Sequence, residues 1–65
     1  MLTETEACEY AQKIETKWYG APSAVLSVTQ TKDSQFDGQL AFEVQTQENR
    51  WAVWREPTGE IYGEC

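Results

Sequence analysis

The chain has 65 residues, which is enough for one small domain and no more. Hydrophobic residues make up 40% and aromatic residues 12%, which excludes a disordered tail because such segments are poor in both. Eleven acidic against five basic residues give a formal net charge of −6, which repels phosphate backbones and disfavours direct nucleic-acid binding. The sequence has no apolar run of about 18 residues, so it predicts no membrane span.

The first twenty residues predict an amphipathic helix over about residues 3–19. Thr3 and Glu6 have the spacing of a capping box, in which each side chain bonds to the backbone N–H of the other residue. Gly20 suits the left-handed position that follows a helix, and Pro22 prevents the helix from continuing. The apolar stripe that should face the core recurs at steps of three or four residues: Ala7, Ala11, Ile14 and Trp18.

From residue 23 the apolar period changes to two, which is typical of strands. The predicted strands cover about residues 23–31, 39–46, 50–56 and 60–64. Between the first two, the polar segment 32–38 with Asp33 and Asp37 predicts a turn. Because short connections favour an antiparallel meander, the expected fold is α+β, with one N-terminal helix packed on a four-stranded antiparallel meander sheet (αββββ). Residues 1–65 should form a single domain.

The register of the last two hairpins follows from their turn lengths, and a slip of one residue would reverse the face of every side chain. We expect Phe42 opposite Val53, and Trp54 between Ala41 and Tyr62.

The first hairpin is expected to pair Leu26 with Val44 and Thr29 with Ala41. Gly63 should lie on the helix-facing side and leave room there for a bulky neighbour. That side of the sheet then collects a continuous apolar set: Leu26, Val28, Leu40, Phe42, Val44, Trp51, Val53, Ile61 and Cys65.

The opposite, outer face carries one row in which two small residues lie beside two aromatic residues: Thr29, Ala41, Trp54 and Tyr62. Trp51 and Trp54 are three residues apart, so a flat strand cannot bury both on one face. Trp54 is therefore expected outside, unless a bulge after Trp51 turns both inward. Exposed aromatic side chains are enriched at protein interfaces, so the row predicts a partner surface. The alternative is that the Trp54–Tyr62 pair only stabilises its hairpin.

Acidic residues flank this predicted surface. Glu43, Glu56 and Glu64 should form a polar rim that selects a basic partner.

The sequence offers no catalytic machinery, and we predict that the protein is not an enzyme. Histidine is absent, so the commonest general base is missing. No Gly-rich phosphate loop or nucleophile elbow is present, and no cofactor is expected. The chain also lacks a Cys-x-x-Cys pair, and Asp33 and Asp37 lack the EF-hand spacing, so no metal site is predicted.

Cys8 and Cys65 are too few for a disulfide scaffold. They are either unpaired thiols or a redox-sensitive pair, and a pair would need Cα atoms within about 7 Å of each other. The first residues lack the basic and apolar regions of a signal peptide, so a cytoplasmic protein is expected.

The predicted function is that of a small acidic accessory or regulatory module that binds a protein partner through the outer sheet face, as a monomer or homodimer. One alternative is an acidic, phage-like inhibitor that mimics the charge of a nucleic acid and occupies a basic cleft. A second is a thiol redox-responsive module that uses Cys8 and Cys65. Neither nucleic acid nor a membrane is expected among its partners.

Overall fold

The computed structural model describes residues 2–32 and 40–65. The elements in chain order are α1 (Glu4–Tyr19), β1 (Val25–Lys32), β2 (Leu40–Thr46), β3 (Arg50–Arg55) and β4 (Ile61–Glu64). The strands form one antiparallel sheet in the order β1-β2-β3-β4. This arrangement confirms the predicted αββββ meander. The predicted turn with Asp33 and Asp37 lies outside the described residues.

Helix α1 begins and ends at the residues that its caps indicate. The Thr3 hydroxyl accepts a hydrogen bond from the Glu6 N–H at 3.1 Å, and the Glu6 carboxylate accepts one from the Thr3 N–H at 2.9 Å. At the other end Gly20 has φ of 82° and donates its N–H to the Thr16 carbonyl. L-residues with a Cβ rarely adopt this conformation, so glycine stabilises the helix end. Among the described residues no helix is both long and apolar enough to cross a membrane.

Strands β2, β3 and β4 pair in the predicted register. Phe42 lies opposite Val53, and Trp54 lies between Ala41 and Tyr62. Glu56 and Glu60 close the hairpin between β3 and β4, and the turn between this pair has three residues. It is closed by hydrogen bonds from the Glu56 N–H to the Glu60 carbonyl and from the Gly59 N–H to the Glu56 carbonyl.

The first hairpin differs from the predicted register by two residues. Val28, not Leu26, lies opposite Val44, and Thr31, not Thr29, lies opposite Ala41. The ladder shifts between Val25 and Ser27, because a bulge there inserts one extra residue.

Leu26 lies within this bulge. Its side chain is 63% exposed, so its predicted place in the core is wrong. The bulge instead allows Val25 and Val28, three residues apart, both to pack against the core. A strict period of two cannot reveal such an insertion.

The core lies between α1 and the helix-facing side of the sheet. Ala7 and Ala11 are fully buried, so the helix backbone can lie close to the strands. Gly63 has the predicted bulky neighbour, since a Cβ added there would lie 2.5 Å from Cε1 of Tyr10. The buried hydrophobic residues of this cluster are Leu2, Ala7, Ala11, Phe42, Val44, Trp51 and Val53.

Two further residues predicted in the core are exposed. Trp18 is 56% exposed, although its ring stacks on Trp51 with centroids 5.4 Å apart. The helical period determines the face on which Trp18 lies, but not how far neighbouring elements extend over it. Cys65 is exposed as well. The side chain of Leu40 lies outside the described part of the chain.

Candidate functional site

The aromatic pair lies on the outer face of the sheet. Trp51 is buried against the helix, and Trp54 faces the other way, so the alternative with both indoles inward is not observed. The Trp54 and Tyr62 ring centroids are 6.4 Å apart and the ring planes are inclined by 26°. Tyr62 is 43% exposed and Trp54 is half-buried. Tyr62 is therefore the more accessible member of the pair.

Each ring of the pair donates a hydrogen bond to its own carboxylate. Nε1 of Trp54 donates to Oε1 of Glu56 at 2.9 Å, and the Tyr62 hydroxyl donates to Oε2 of Glu60 at 2.6 Å. The hydrogen bond to Glu60 and the charge of that carboxylate raise the pKa of Tyr62. The phenol therefore stays protonated, and both rings are held by their polar edges.

The alternation of side chains also predicts Glu60 on the outer face, two residues before Tyr62, but the predicted rim of Glu43, Glu56 and Glu64 omitted it. The hydrogen bond from the Tyr62 hydroxyl adds Glu60 to this site.

The predicted acidic rim lies on the same face. Glu43 and Glu64 are exposed and both lie opposite Ala52, on β2 and β4 respectively. Oε1 of Glu43 is 3.6 Å from Nε of Arg50, in an exposed ion pair of the kind that contributes little stability. Among the described side chains of this face, four carboxylates therefore surround the aromatic pair, and Arg50 supplies one positive charge.

Two other predicted members of the row contribute differently. Ala41 is fully buried although it faces outward, so it can support the aromatic pair but cannot touch a partner. Thr29 is exposed but lies opposite Glu43, and Thr31 occupies the position beside Ala41. The predicted row is therefore wrong at its first residue.

The two cysteines are both free thiols. Cys8 is half-buried against the core, and its burial, together with the charge of Glu4, raises its pKa. A raised pKa lowers the fraction of reactive thiolate. Over residues 2–32 and 40–65, no group of three or more side chains is arranged to hold a metal ion.

A buried carboxylate that the sequence did not indicate lies on the opposite, helix-facing side. Glu15 is fully buried in α1, and its Oε2 accepts three hydrogen bonds. The donors are Nε1 of Trp51 at 2.7 Å, Oγ1 of Thr46 at 2.7 Å and Nδ2 of Asn49 at 3.0 Å. Oε1 of Glu15 is also buried and has no hydrogen-bond partner among the described residues. All three of these neutral donors therefore bond to the same oxygen of the carboxylate.

The environment of Glu15 acts on its pKa in two opposing ways. Burial raises the pKa, while the hydrogen bonds donated by Trp51, Thr46 and Asn49, with a further contribution from Ser23, lower it. The donors outweigh burial, so the pKa of Glu15 lies below its ordinary value and the group is charged at neutral pH.

Two of the donors to Glu15, Thr46 and Asn49, are themselves held by hydrogen bonds of the turn between β2 and β3. Oγ1 of Thr46 accepts from the backbone N–H groups of Glu48 at 3.2 Å and Asn49 at 3.0 Å. The Thr46 N–H donates to the Asn49 carbonyl at 2.9 Å. One carboxylate on the helix therefore joins the helix, this turn and the centre of the sheet.

A second exposed aromatic cluster lies at the end of α1. Tyr19 is 53% exposed and meets Trp18 edge to face with centroids 6.2 Å apart. Its hydroxyl accepts a hydrogen bond from Nδ2 of Asn49 at 3.3 Å. On the inner side Tyr10 meets Trp51 edge to face, also at 6.2 Å. This cluster extends the core outward, and no carboxylate is hydrogen-bonded to its exposed rings among the described residues.

No family model, no curated protein and no solved structure matches this chain.

Proposed function

We propose that the protein is a small non-catalytic module that binds a basic segment of a protein partner through the outer face of its sheet. Tyr62 and Trp54 form the centre of the surface, and Glu43, Glu56, Glu60 and Glu64 form its acidic surroundings. The observation that carries the proposal is the carboxylate bound to each ring edge. A cytoplasmic location belongs to the same proposal.

The chemistry of this surface favours a cation. The face of an aromatic ring is negative, and a Lys or Arg side chain placed over it is attracted electrostatically. A phenol that donates its proton toward a carboxylate has a more electron-rich ring, so the Glu60 contact strengthens this attraction at Tyr62. Each carboxylate also has a second oxygen with which to accept from the incoming cation. A basic side chain therefore finds a ring face and charged acceptors at one place.

The test uses capped hexalysine as the probe and isothermal titration at low salt. Replacing Tyr62 with Leu keeps an apolar side chain on β4 but removes the ring, and should weaken binding roughly two- to fivefold. Tyr62→Phe retains the ring and should lose less. Glu60→Gln should weaken binding and make it less dependent on salt.

The matched control is Tyr19→Leu, which removes a somewhat more exposed tyrosine ring at the end of α1. Circular dichroism establishes that each variant is folded. If Tyr62→Leu binds hexalysine as tightly as the unaltered chain, or if Tyr19→Leu weakens binding by the same factor, the proposal is wrong.

The same titration separates the charge-mimic alternative from this proposal. An inhibitor that acts through overall negative charge would bind hexalysine in a salt-dependent manner and be indifferent to Tyr62. That hypothesis and the redox hypothesis for Cys8 and Cys65 both stay predictions.

A further inference from the structure

Strand β4 is an edge of the sheet, and half of its backbone groups point away from β3. The Glu56 N–H bonds to the Glu60 carbonyl, which sets the alternation along the strand. Tyr62 therefore directs its N–H and C=O toward β3, while Ile61 and Gly63 direct theirs outward. Among the described residues, nothing bonds to these outward groups of Ile61 and Gly63. They form a template for one more strand.

The two sides of this edge differ in chemistry. On the outer side lie the Tyr62 ring and the carboxylates of Glu60 and Glu64. On the helix side a groove runs between α1 and the start of β4, with Tyr10 and Ile61 among the residues that line it. Its other lining residues are Gly59 and five charged or polar residues: Glu6, Glu9, Gln12, Lys13 and Thr16.

We propose that the basic partner segment binds as a fifth, antiparallel strand along β4. This inference rests on the proposed function and adds the binding mode and the pattern of the ligand. Side chains of a strand alternate between faces. The segment should therefore alternate basic residues, which meet Tyr62, Glu60 and Glu64, with apolar residues, which enter the groove beside Tyr10 and Ile61.

Strand addition at the β1 edge, and pairing of β4 with a second copy of this chain, are both less favourable than addition of a basic strand to β4. The β1 edge carries the bulge between Val25 and Ser27, and bulges protect edges from added strands, whereas the β4 ladder is regular. Antiparallel pairing of two β4 strands about Tyr62 would bring Glu60 of one copy near Glu64 of the other. Like charges across a strand pair repel, so charge favours a basic strand over a second copy.

The test uses a capped hexapeptide of alternating lysine and valine, titrated into the full chain and followed by NMR. In an antiparallel pair, the residues that bond to Ile61 and Gly63 project to the helix side, so they should be the valines. A peptide with two N-methylated valines should therefore bind at least about tenfold more weakly, because two hydrogen bonds are lost. Its matched control, with two N-methylated lysines, has the same charge and composition and should bind like the parent peptide.

A second measurement locates the contact on the protein. On binding of the parent peptide, the amide hydrogen exchange of Ile61 and Gly63 should slow about tenfold, while that of Tyr62, already paired with β3, changes little.

The outcomes separate this inference from the proposed function. If both N-methylated peptides bind equally while Tyr62→Leu weakens binding, strand addition is wrong and the outer-face function stands. If N-methylated lysines abolish binding and N-methylated valines do not, the antiparallel arrangement is wrong. If the peptide does not bind at all, and hexalysine does not either, the proposed function fails with it.

Discussion

The sheet has a tryptophan bonded to a glutamate on each of its faces, and the two contacts have different consequences. On the helix side Nε1 of Trp51 donates to Glu15 at 2.7 Å, across 36 positions of the chain. On the outer side Nε1 of Trp54 donates to Glu56 at 2.9 Å, across two positions. Both contacts are hydrogen bonds from an indole N–H to a carboxylate, but the first carboxylate is fully buried in the core and the second lies at the surface.

The difference shows how burial changes the role of one contact. The buried carboxylate holds a helix, a turn and a strand in one arrangement, because it is the closest acceptor of all three donors. Without Glu15, Nε1 of Trp51 would lose its acceptor, and Thr46 and Asn49 would keep only their longer hydrogen bonds to the Asn49 carbonyl at 3.2 Å and the Tyr19 hydroxyl at 3.3 Å. The surface carboxylate joins residues that are already adjacent, so it adds little to the fold and remains available to a ligand. Stability should therefore depend on Glu15, and binding on Glu56 and Glu60.

The largest expected effect is that of Glu15→Ala. It leaves the buried Nε1 of Trp51 without an acceptor and removes the shorter hydrogen bond of both Thr46 and Asn49, so it should lower the free energy of unfolding by about 3 kcal/mol. Urea denaturation followed by circular dichroism measures it. Glu15→Gln retains a carbonyl oxygen and should cost less, so a Gln variant as unstable as the Ala variant would contradict this role.

Acid should remove part of the same stabilisation. The pKa of Glu15 is lower in the folded chain than in the unfolded chain, so its contribution is present above the ordinary glutamate pKa. The contribution is lost as the pH falls through the folded-state pKa. The pKa of Glu6 is lowered by the Thr3 N–H and by Arg55, so its contribution to stability is also lost on acidification.

Denaturation curves at several pH values test this expectation. The slope of stability against pH in the acid range should be shallower in Glu15→Gln. The control is Glu56→Gln, which removes one charge and leaves Glu15 in place. Equal changes of slope in the two variants would contradict a special role for the buried group.

A smaller effect is expected at Gly63. Gly63→Ala places a Cβ 2.5 Å from Cε1 of Tyr10, and that ring is itself packed against Trp51. Overpacking of this kind should cost about 1–3 kcal/mol. The cost should largely disappear when Tyr10 is first replaced by Ala, and a double-mutant cycle measures the difference. If Gly63→Ala costs the same in both backgrounds, the Tyr10 ring is not the cause.

The smallest effect on stability is expected for Glu56→Ala. It removes the acceptor of an indole N–H on a half-buried residue of the outer face, so the cost should be below about 1 kcal/mol. Urea denaturation of this variant and of Glu15→Ala under the same conditions compares the two losses of stability. If the two substitutions destabilise the chain equally, the contrast between the two faces is wrong.

Local chemistry allowed much of the fold to be predicted. Thr3, Glu6 and Gly20 define the helix through contacts between neighbours in sequence. The pairing of Trp54 with Ala41 and Tyr62 followed from two short turns and the alternation of side chains. These features depend on few residues, each close to its partner along the chain.

The features that could not be predicted depend on distant residues or on irregular backbone. Glu15 lies four positions after Ala11 on the buried stripe, but its donors are 31 to 36 positions away. The bulge at Leu26 breaks the period of two that the prediction assumed. Trp18 lies on the expected face of α1 and stacks on Trp51, yet it remains exposed.

The stacking of Trp18 on Trp51 gives the chain an optical property of its own. Two indoles with centroids 5.4 Å apart and planes inclined by 26° are close enough for their electronic transitions to couple, so we expect paired bands of opposite sign in circular dichroism. Such a couplet exists only while the end of the helix is docked on the sheet. The couplet would therefore report the docking of the helix end on the sheet separately from the formation of the helix, in the unlabelled protein.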